Sequence, residues 1–415
     1  MRLPRCLEIT SIDGSHSEME RIGVDPVGIH IMAPKHIHYN IKVEGLTPAQ
    51  ANVIKQDMLS IGGDAAVARG VASCSVERSD AILSGTLKQF NILVDKLMHQ
   101  TFGLPEISVR IGQAIENSRR RRLTVVSRSG CEWALGERTF IMGILNVTPD
   151  SFSDGGRFFE KGAAVERGLE MAGQGADWID VGGESTRPGA GPVGVEEELE
   201  RVVPVVEALV AEGLTVSVDT TKARVADAAL KAGAEIVNDV SALSADPEMA
   251  GVCAGHKAPV VLMHMRGTPG TMQKDTSYGD LLSEVYNYLA DRMDYAEASG
   301  IGREKIIIDP GLGFGKSAEG NLDIIRRLSE FRSLGRPVLI GASRKSFIGG
   351  VSIGGVSGAP ARERLPGTLA VSAIAVGNGA SVLRVHDVAE AKQAAVMADA
   401  VKNAGRRGFI VRVEA

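Results

Sequence analysis

The sequence predicts a (β/α)8 barrel preceded by a smaller α+β domain, and three observations lead there. From Thr139 onward, short apolar runs alternate with helix-length amphipathic segments, the mark of a parallel α/β fold. The alternation repeats eight times, which favours a closed barrel over an open doubly wound sheet. Each apolar run also stops on a polar or charged residue: Asn146, Asp180, Asp219, Asn238-Asp239, His264, Asp309, Ser343-Arg344-Lys345 and Arg384-Val385-His386. Barrels place catalytic groups at such strand ends, where the following loops converge on one face.

Residues 1–118 follow a different rhythm and are read as the α+β domain. The run from His36 to Val43 alternates like a strand. Thr47 then caps a helix that starts at Pro48 and runs to Ser60. Two strand-like runs, 65–72 and 80–86, precede a helix near 87–101. His30, His36 and His38 are candidate metal ligands, His36 and His38 sharing one face of the expected strand, though they equally suit a surface. Residues 119–138 are taken as a linker and the approach to the barrel. The run Arg119-Arg120-Arg121-Arg122 is read as a solvated junction rather than a nucleic-acid patch.

The barrel is assigned to 139–415. Its strands are expected at 140–146, 177–182, 214–219, 235–239, 259–264, 305–309, 337–341 and 381–385. Helices are expected near 161–175, 195–211, 221–232, 246–255, 280–299, 320–333, 364–378 and 387–404. The length of 415 residues accommodates a barrel plus one further domain.

Composition excludes several function classes. Lys and Arg total 46 against 51 Asp and Glu, for a formal net charge of −5, so no nucleic-acid partner is expected and any anion site is local. The four cysteines lie far apart without a C-x-x-C pair, which argues against a zinc knuckle or disulfide framework and fits a reducing cytoplasm. No apolar run is long enough to span a bilayer, so no membrane association is expected.

Two clusters carry the chemistry. Asp219, Asn238 and Asp309 end strands three, four and six and present carboxylates and an amide. These suit a flat heterocycle with amino, ring N–H and carbonyl groups, because a carboxylate accepts two parallel hydrogen bonds from an amidine-like edge. Helix capping is the plainer role for any one of them. The second cluster, Lys345, Arg384 and His386, follows strands seven and eight, where barrels often bind phosphate, and predicts a phosphorylated ligand. Asn146 on strand one is a candidate Mg2+ ligand, with phosphate oxygens and waters completing the octahedron. The loops 147–160 and 182–192, the second carrying Thr186 and Arg187 between glycines, read as lids over bound substrate. The run Gly311-Leu312-Gly313-Phe314-Gly315-Lys316 fits neither the dinucleotide fingerprint nor the P-loop. Phe314 is read as an aromatic wall and Met263 as packing against the heterocycle.

Seven segments, in order, resemble those of the dihydropteroate synthase family over about residues 123–404. They are Gly143–Phe152, Glu184–Gly189, Ser217–Thr220, Asn238–Val240, Asp309–Gly311, Ser343–Ser346 and Arg384–Val388. The resemblance implies a TIM barrel, Mg2+ and a homodimer. It also implies condensation of 4-aminobenzoate with 6-hydroxymethyl-7,8-dihydropterin diphosphate to give 7,8-dihydropteroate and pyrophosphate. Carried over by position, it assigns Asp219, Asn238, Asp309 and Lys345 to the pterin, and Arg384, His386 and Mg2+-bearing Asn146 to the diphosphate. Thr186 and Arg187 would come from the second lid, and Ser346, Pro188, Phe152 and Phe314 would shape the aminobenzoate pocket. It does not cover residues 1–118. A pterin-dependent methyltransferase of the same barrel family would not need Ser343–Ser346 and Arg384–His386; a non-catalytic pterin-binding paralogue would not need the full residue set.

Overall fold

The computed structural model describes residues 3–147, 157–184, 191, 193–268, 270–351 and 358–404, without the side chains of 157–160. Phe152, Thr186, Arg187 and Pro188 therefore lie outside the described residues, as do most of both expected lids. The chain divides into two compact units, one running to Arg119 and the other spanning Arg120–Lys402.

The first unit contains α1 (Ile12–Arg21), α2 (Pro26–His36), β1 (His38–Leu46), α3 (Pro48–Ser60), β2 (Asp64–Val67), β3 (Ser79–Thr86), α4 (Leu87–Met98) and α5 (Leu104–Arg119). Its strands form an antiparallel sheet in the order β1-β3-β2. Thr47 and Thr86 start α3 and α4 with capping boxes, each closed by a Gln three residues on. Ile54, Met58, Leu83, Phe90, Leu93 and Leu97 are fully buried between these helices and one sheet face. The expected strand 65–72 stops at Val67, because Gly70 accepts from Ser75 N–H in a turn. The strand expected from His36 begins at His38; His36 ends α2 and its Nδ1 lies 2.8 Å from Ser15 Oγ. The three histidines form no metal cluster among the described residues.

The second unit opens with a hairpin, β4 (Leu123–Val126) and β5 (Glu132–Leu135), in the segment expected to be a linker. Then come β6 (Phe140–Asn146), α6 (Arg157–Gly173), β7 (Trp178–Gly182), α7 (Val195–Ala211), β8 (Val216–Asp219), α8 (Ala223–Lys231), β9 (Ile236–Asp239) and α9 (Met249–His256). They are followed by β10 (Val260–Met263), α10 (Leu281–Ala298), β11 (Ile306–Asp309), α11 (Ala318–Arg326), β12 (Leu339–Ile340), α12 (Ser346–Gly350), α13 (Leu365–Gly377), β13 (Val382–Val385) and α14 (Val388–Asn403). Strands β6 to β13 make one eight-stranded parallel sheet in the order β11-β10-β9-β8-β7-β6-β13-β12. A bridge between Ile308 and Val338 joins the outer strands and closes the barrel. All eight expected strands are present: β6 has its expected bounds, six are one or two residues shorter, and β12 keeps two of five residues. The expected helix 320–333 ends at Arg326 and continues as a 3-10 turn over Leu328–Leu334.

The closed hairpin forms the barrel floor. Val125 and Leu135 are fully buried against Phe140, Met142, Trp178, Ile236, Val261, Ile307, Leu339 and Val382, drawn from seven barrel strands. The hairpin is tied further by Lys305 Nζ donating to Val126 O at 3.0 Å. Around the barrel, a larger cluster fills the space between strands and helices, including Val181, Val218, Leu209, Leu230 and Leu289. With floor and wall packed, polar strand ends are left at the opposite rim. No helix among the described residues is long and apolar enough to cross a membrane.

Leu135→Ala is expected to destabilise the barrel by about 2–5 kcal/mol, because the hairpin cannot collapse into the space left behind. Both tryptophans, Trp133 and Trp178, sit in this floor with ring centroids 4.9 Å apart, so their fluorescence follows the barrel during denaturation. An unchanged denaturation midpoint would contradict this role of the hairpin.

Candidate active site

The rim is organised by strand register. Asn146 on β6 pairs with Gly182 on β7, Gly182 with Asp219 on β8, and Asp219 with Asn238 on β9, so these residues form one lateral row. Gly182 keeps the row open: a methyl built there would lie 3.6 Å from Asp219 Oδ2 and 3.8 Å from Asn146 Oδ1. On the far side, Met263 and Asp309 are register partners on β10 and β11.

Arg384, from β13, reaches into this row. Its Nη2 donates to Asp219 Oδ2 at 2.6 Å and its Nε to Asp180 Oδ2 at 2.6 Å. Asn238 Nδ2 donates to the same Asp180 oxygen at 2.9 Å. Asp180 is completely buried and Asp219 is 8% exposed, so two carboxylates share one guanidinium in a site with little water. Burial, opposed by Arg384 and reinforced by Asp180, pushes the Asp219 carboxyl up to about 7. A salt bridge alone would lower it; here burial outweighs the guanidinium, which Asp180 shares. The same pair of carboxylates pushes the Arg384 guanidinium upward despite its burial.

The second centre surrounds Asp309 on β11, which is 6% exposed and accepts from Gly311 N at 2.7 Å. Burial raises its carboxyl, while Lys345 chiefly holds it down. Lys345 donates to Leu312 O, and its ammonium lies 4.4 Å from the centroid of Phe314. Burial lowers it to about 8, with Asp309 opposing. Met263, the register partner of Asp309, is 3% exposed, and Ser346 is exposed at the start of α12.

The expected cationic cluster is thus divided. Lys345 belongs with Asp309 and Phe314, whereas Arg384 is held by Asp180 and Asp219. The two approach each other at Gly341, where a methyl would meet Arg384 Cβ at 3.9 Å and Lys345 Nζ at 4.0 Å. His386 is set by Ser343, whose Oγ accepts from His386 N at 3.2 Å and lies 2.9 Å from its Nδ1. Arg344, left-handed at φ 58°, turns away from the rim to pair with Asp387 at 3.0 Å.

Sequence reasoning named Asp180 only as a strand end and gave it no part in the site. A signal was present: a carboxylate inside Ile179-Asp180-Val181 on a strand buried on both faces demands a buried partner. Ser343, Lys316 and His264 were likewise given no role; the Ser343–His386 and Lys316–His264 contacts span 43 and 52 positions and leave no local pattern.

This chain and its barrel resemble known proteins. The sequence profile of a family described as pterin binding enzyme matches residues 142–386. A dihydropteroate synthase from Synechocystis is 48% identical over 267 residues, covering 64% of this chain and 91% of that protein. A crystal structure of the Xanthomonas albilineans dihydropteroate synthase with 4-aminobenzoic acid is 45% identical, with a TM-score of 0.61 over 68% of this chain and 98% of that one. The same organism's enzyme in complex with 7,8-dihydropteroate is 42% identical, with a TM-score of 0.59 over 67% of this chain and 98% of that one. A probable bifunctional folylpolyglutamate synthase/dihydropteroate synthase from Halobacterium salinarum is 42% identical over 400 residues, 95% of this chain, so that likeness takes in the N-terminal unit too. This chain spans 47% of that protein's length. The chain belongs to the dihydropteroate synthase family of pterin-binding enzymes.

Proposed function

We infer that this protein is a dihydropteroate synthase, a transferase of folate biosynthesis that joins 4-aminobenzoate to 6-hydroxymethyl-7,8-dihydropterin diphosphate and releases pyrophosphate. The observation that carries the reading is the rim itself: buried carboxylates at Asp219 and Asp309, with Arg384 bound to the first and Arg384 and Lys345 both close to Gly341. Such a site accepts from the amino and ring N–H groups of a pterin and donates to its carbonyl.

In the reaction, the bond from the pterin methylene carbon to the diphosphate oxygen breaks, and its electron pair leaves on pyrophosphate. The aminobenzoate nitrogen forms the new C–N bond and gives up a proton to solvent. Ionised Asp219 opposes positive charge on the pterin as the leaving group departs. Asn238 and Asp309 hold the ring, Met263 packs beneath it, and Lys345 meets it from the Phe314 side. Arg384 and His386 take the diphosphate; the Ser343 contact orients the imidazole for that task. Ser346, Phe314, Phe152 and Pro188 form the aminobenzoate side, with Thr186 and Arg187 from the loop after β7.

Mg2+ is the implied cofactor, and the donor set suits it in one way only. Asn146 Oδ1 faces the space left by Gly182, with Asp219 on its other side, and no three His, Cys, Asp or Glu residues group as a metal site among the described residues. One amide oxygen fits an ion that brings most of its ligands as diphosphate oxygens and waters. Bound there, Mg2+ would neutralise charge on the diphosphate. A homodimer is supported by apolar exposure on two barrel helices: Ile374 on α13 is 54% exposed, and Val396, Met397 and Val401 on α14 are 58%, 65% and 68% exposed. A cytoplasmic location suits four free cysteines, three of them exposed.

Purified protein is expected to release pyrophosphate from the pterin diphosphate only with 4-aminobenzoate and Mg2+, giving a product with the mass of 7,8-dihydropteroate and sizing as a dimer by light scattering. Pterin binding without condensation would overturn the synthase reading; full turnover after chelation would remove the metal.

Asp219 also predicts a pH dependence. Below about 7 its carboxyl retains a proton and offers a donor where the pterin requires an acceptor. Affinity for non-phosphorylated 6-hydroxymethyl-7,8-dihydropterin should therefore strengthen as pH rises toward 7, by roughly tenfold per unit, and level off above it. Asp219→Asn should bind more weakly at pH 8 and lose this limb. A variant with the wild-type profile would remove Asp219 from pterin recognition.

A further inference from the structure

The glycine-rich run after β11 is not a phosphate loop, yet its form is strongly specified. Gly311, Gly313 and Gly315 have φ of 71°, 80° and 68°, a left-handed geometry that penalises side chains. A methyl on Gly311 would collide with His264 O, and one on Gly315 would lie 2.7 Å from Arg266 Cβ. This alternation leaves the loop's carbonyls to side-chain donors. Lys316 Nζ reaches Gly311 O at 2.9 Å and Phe314 O at 3.0 Å, Lys345 takes Leu312 O, Gln273 takes Gly313 O at 2.9 Å, and Tyr278 takes Gly315 O at 2.8 Å.

Lys316 is the centre of this arrangement. It is 3% exposed, and its ammonium also lies 2.9 Å from His264 Nδ1, with His264 O at 3.3 Å. An ammonium has three protons, and the three shortest contacts use all of them, leaving none for a substrate. His264 must then accept at Nδ1 and carry its proton on Nε2. Burial, aided by Lys316, keeps the ring neutral by pushing it down to about 3. Burial lowers the Lys316 ammonium to about 7, with Asp309 opposing; a buried amine is costly unless fully bonded, so its presence here calls for a role.

We propose that Lys316 is a positioning residue for pterin recognition: saturated within the Gly311–Lys316 loop, it fixes the Leu312 carbonyl and Phe314 ring that hold the Lys345 ammonium at the rim. Both groups that touch Lys345 from this loop lie between the carbonyls that Lys316 grips, at Gly311 and Phe314. Asn321, 1% exposed, assists from α11 by accepting from Gly313 N at 2.7 Å and donating to Ser317 O at 2.8 Å. The proposal rests on the pterin reading of the site above.

The test is a double-mutant cycle on binding of 6-hydroxymethyl-7,8-dihydropterin, measured by calorimetry on full-length protein. Lys316→Met is expected to weaken affinity at least tenfold in the wild-type background but less than twofold when Lys345→Ala is already present, because Lys316 acts through Lys345. Equal losses in both backgrounds mark a merely structural residue and overturn the proposal, as does unchanged binding by Lys316→Met. If Lys316→Met does not fold, Asn321→Ala takes its place in the same cycle, with a loss of at least threefold expected only when Lys345 is intact. Wild-type protein that fails to bind the pterin overturns the functional reading itself, and this proposal with it; binding by wild type with an additive cycle overturns this proposal alone.

Discussion

The bridge from Arg384 to Asp180 and Asp219 is the constraint around which the rim is built. Ionised carboxylates in a packed barrel interior cost several kcal/mol each unless a counter-charge and hydrogen bonds meet them. Arg384 meets two at once, and Asn238 adds a second bond to Asp180 Oδ2 while the buried Oδ1 has no hydrogen-bond partner. The arrangement joins β13 to β7, β8 and β9 across the barrel mouth. Burial chiefly pushes the Asp219 carboxyl up to about 7 despite a guanidinium at 2.6 Å, and Asp180, which shares that cation, adds to the rise.

Such a bridge is poised for exchange. A pterin that donates to Asp219 competes with Arg384 for the same carboxylate, while a diphosphate offers the guanidinium a stronger anion. Asp180 lies below the rim and keeps Arg384 aimed upward through Nε while Nη2 changes partner. The Asp309 centre behaves differently. Burial raises the Asp309 carboxyl, and Lys345, the Gly311 N–H and Lys316 oppose that rise.

The barrel was legible because its signals are local. Periodicity located all eight strands, and the polar residue ending each run pointed to the polar rim. The hairpin was missed because Leu123–Val126 and Glu132–Leu135 are four residues each, too short to show alternation, and their meaning comes from the floor they close. Helices α1, α2 and α5 were missed where Gly14, Gly28, Pro34, Pro105 and Gly112 interrupt helical composition. In the site, residue types were readable but pairings were not. Arg384 and Asp180 are 204 positions apart, and only the closed sheet shows that Arg384 answers the charge at Asp180. Lys345 was grouped with Arg384 and His386 by sign, whereas the fold turns it toward Asp309.

The most direct test of this account is a crystal structure of the protein with 6-hydroxymethyl-7,8-dihydropterin diphosphate bound. The account predicts Asp219 accepting from the pterin ring, Arg384 Nη2 transferred to the diphosphate, and Arg384 Nε still donating to Asp180. A bound pterin that leaves the bridge from Arg384 to Asp219 intact, or that draws Arg384 away from Asp180, would contradict it.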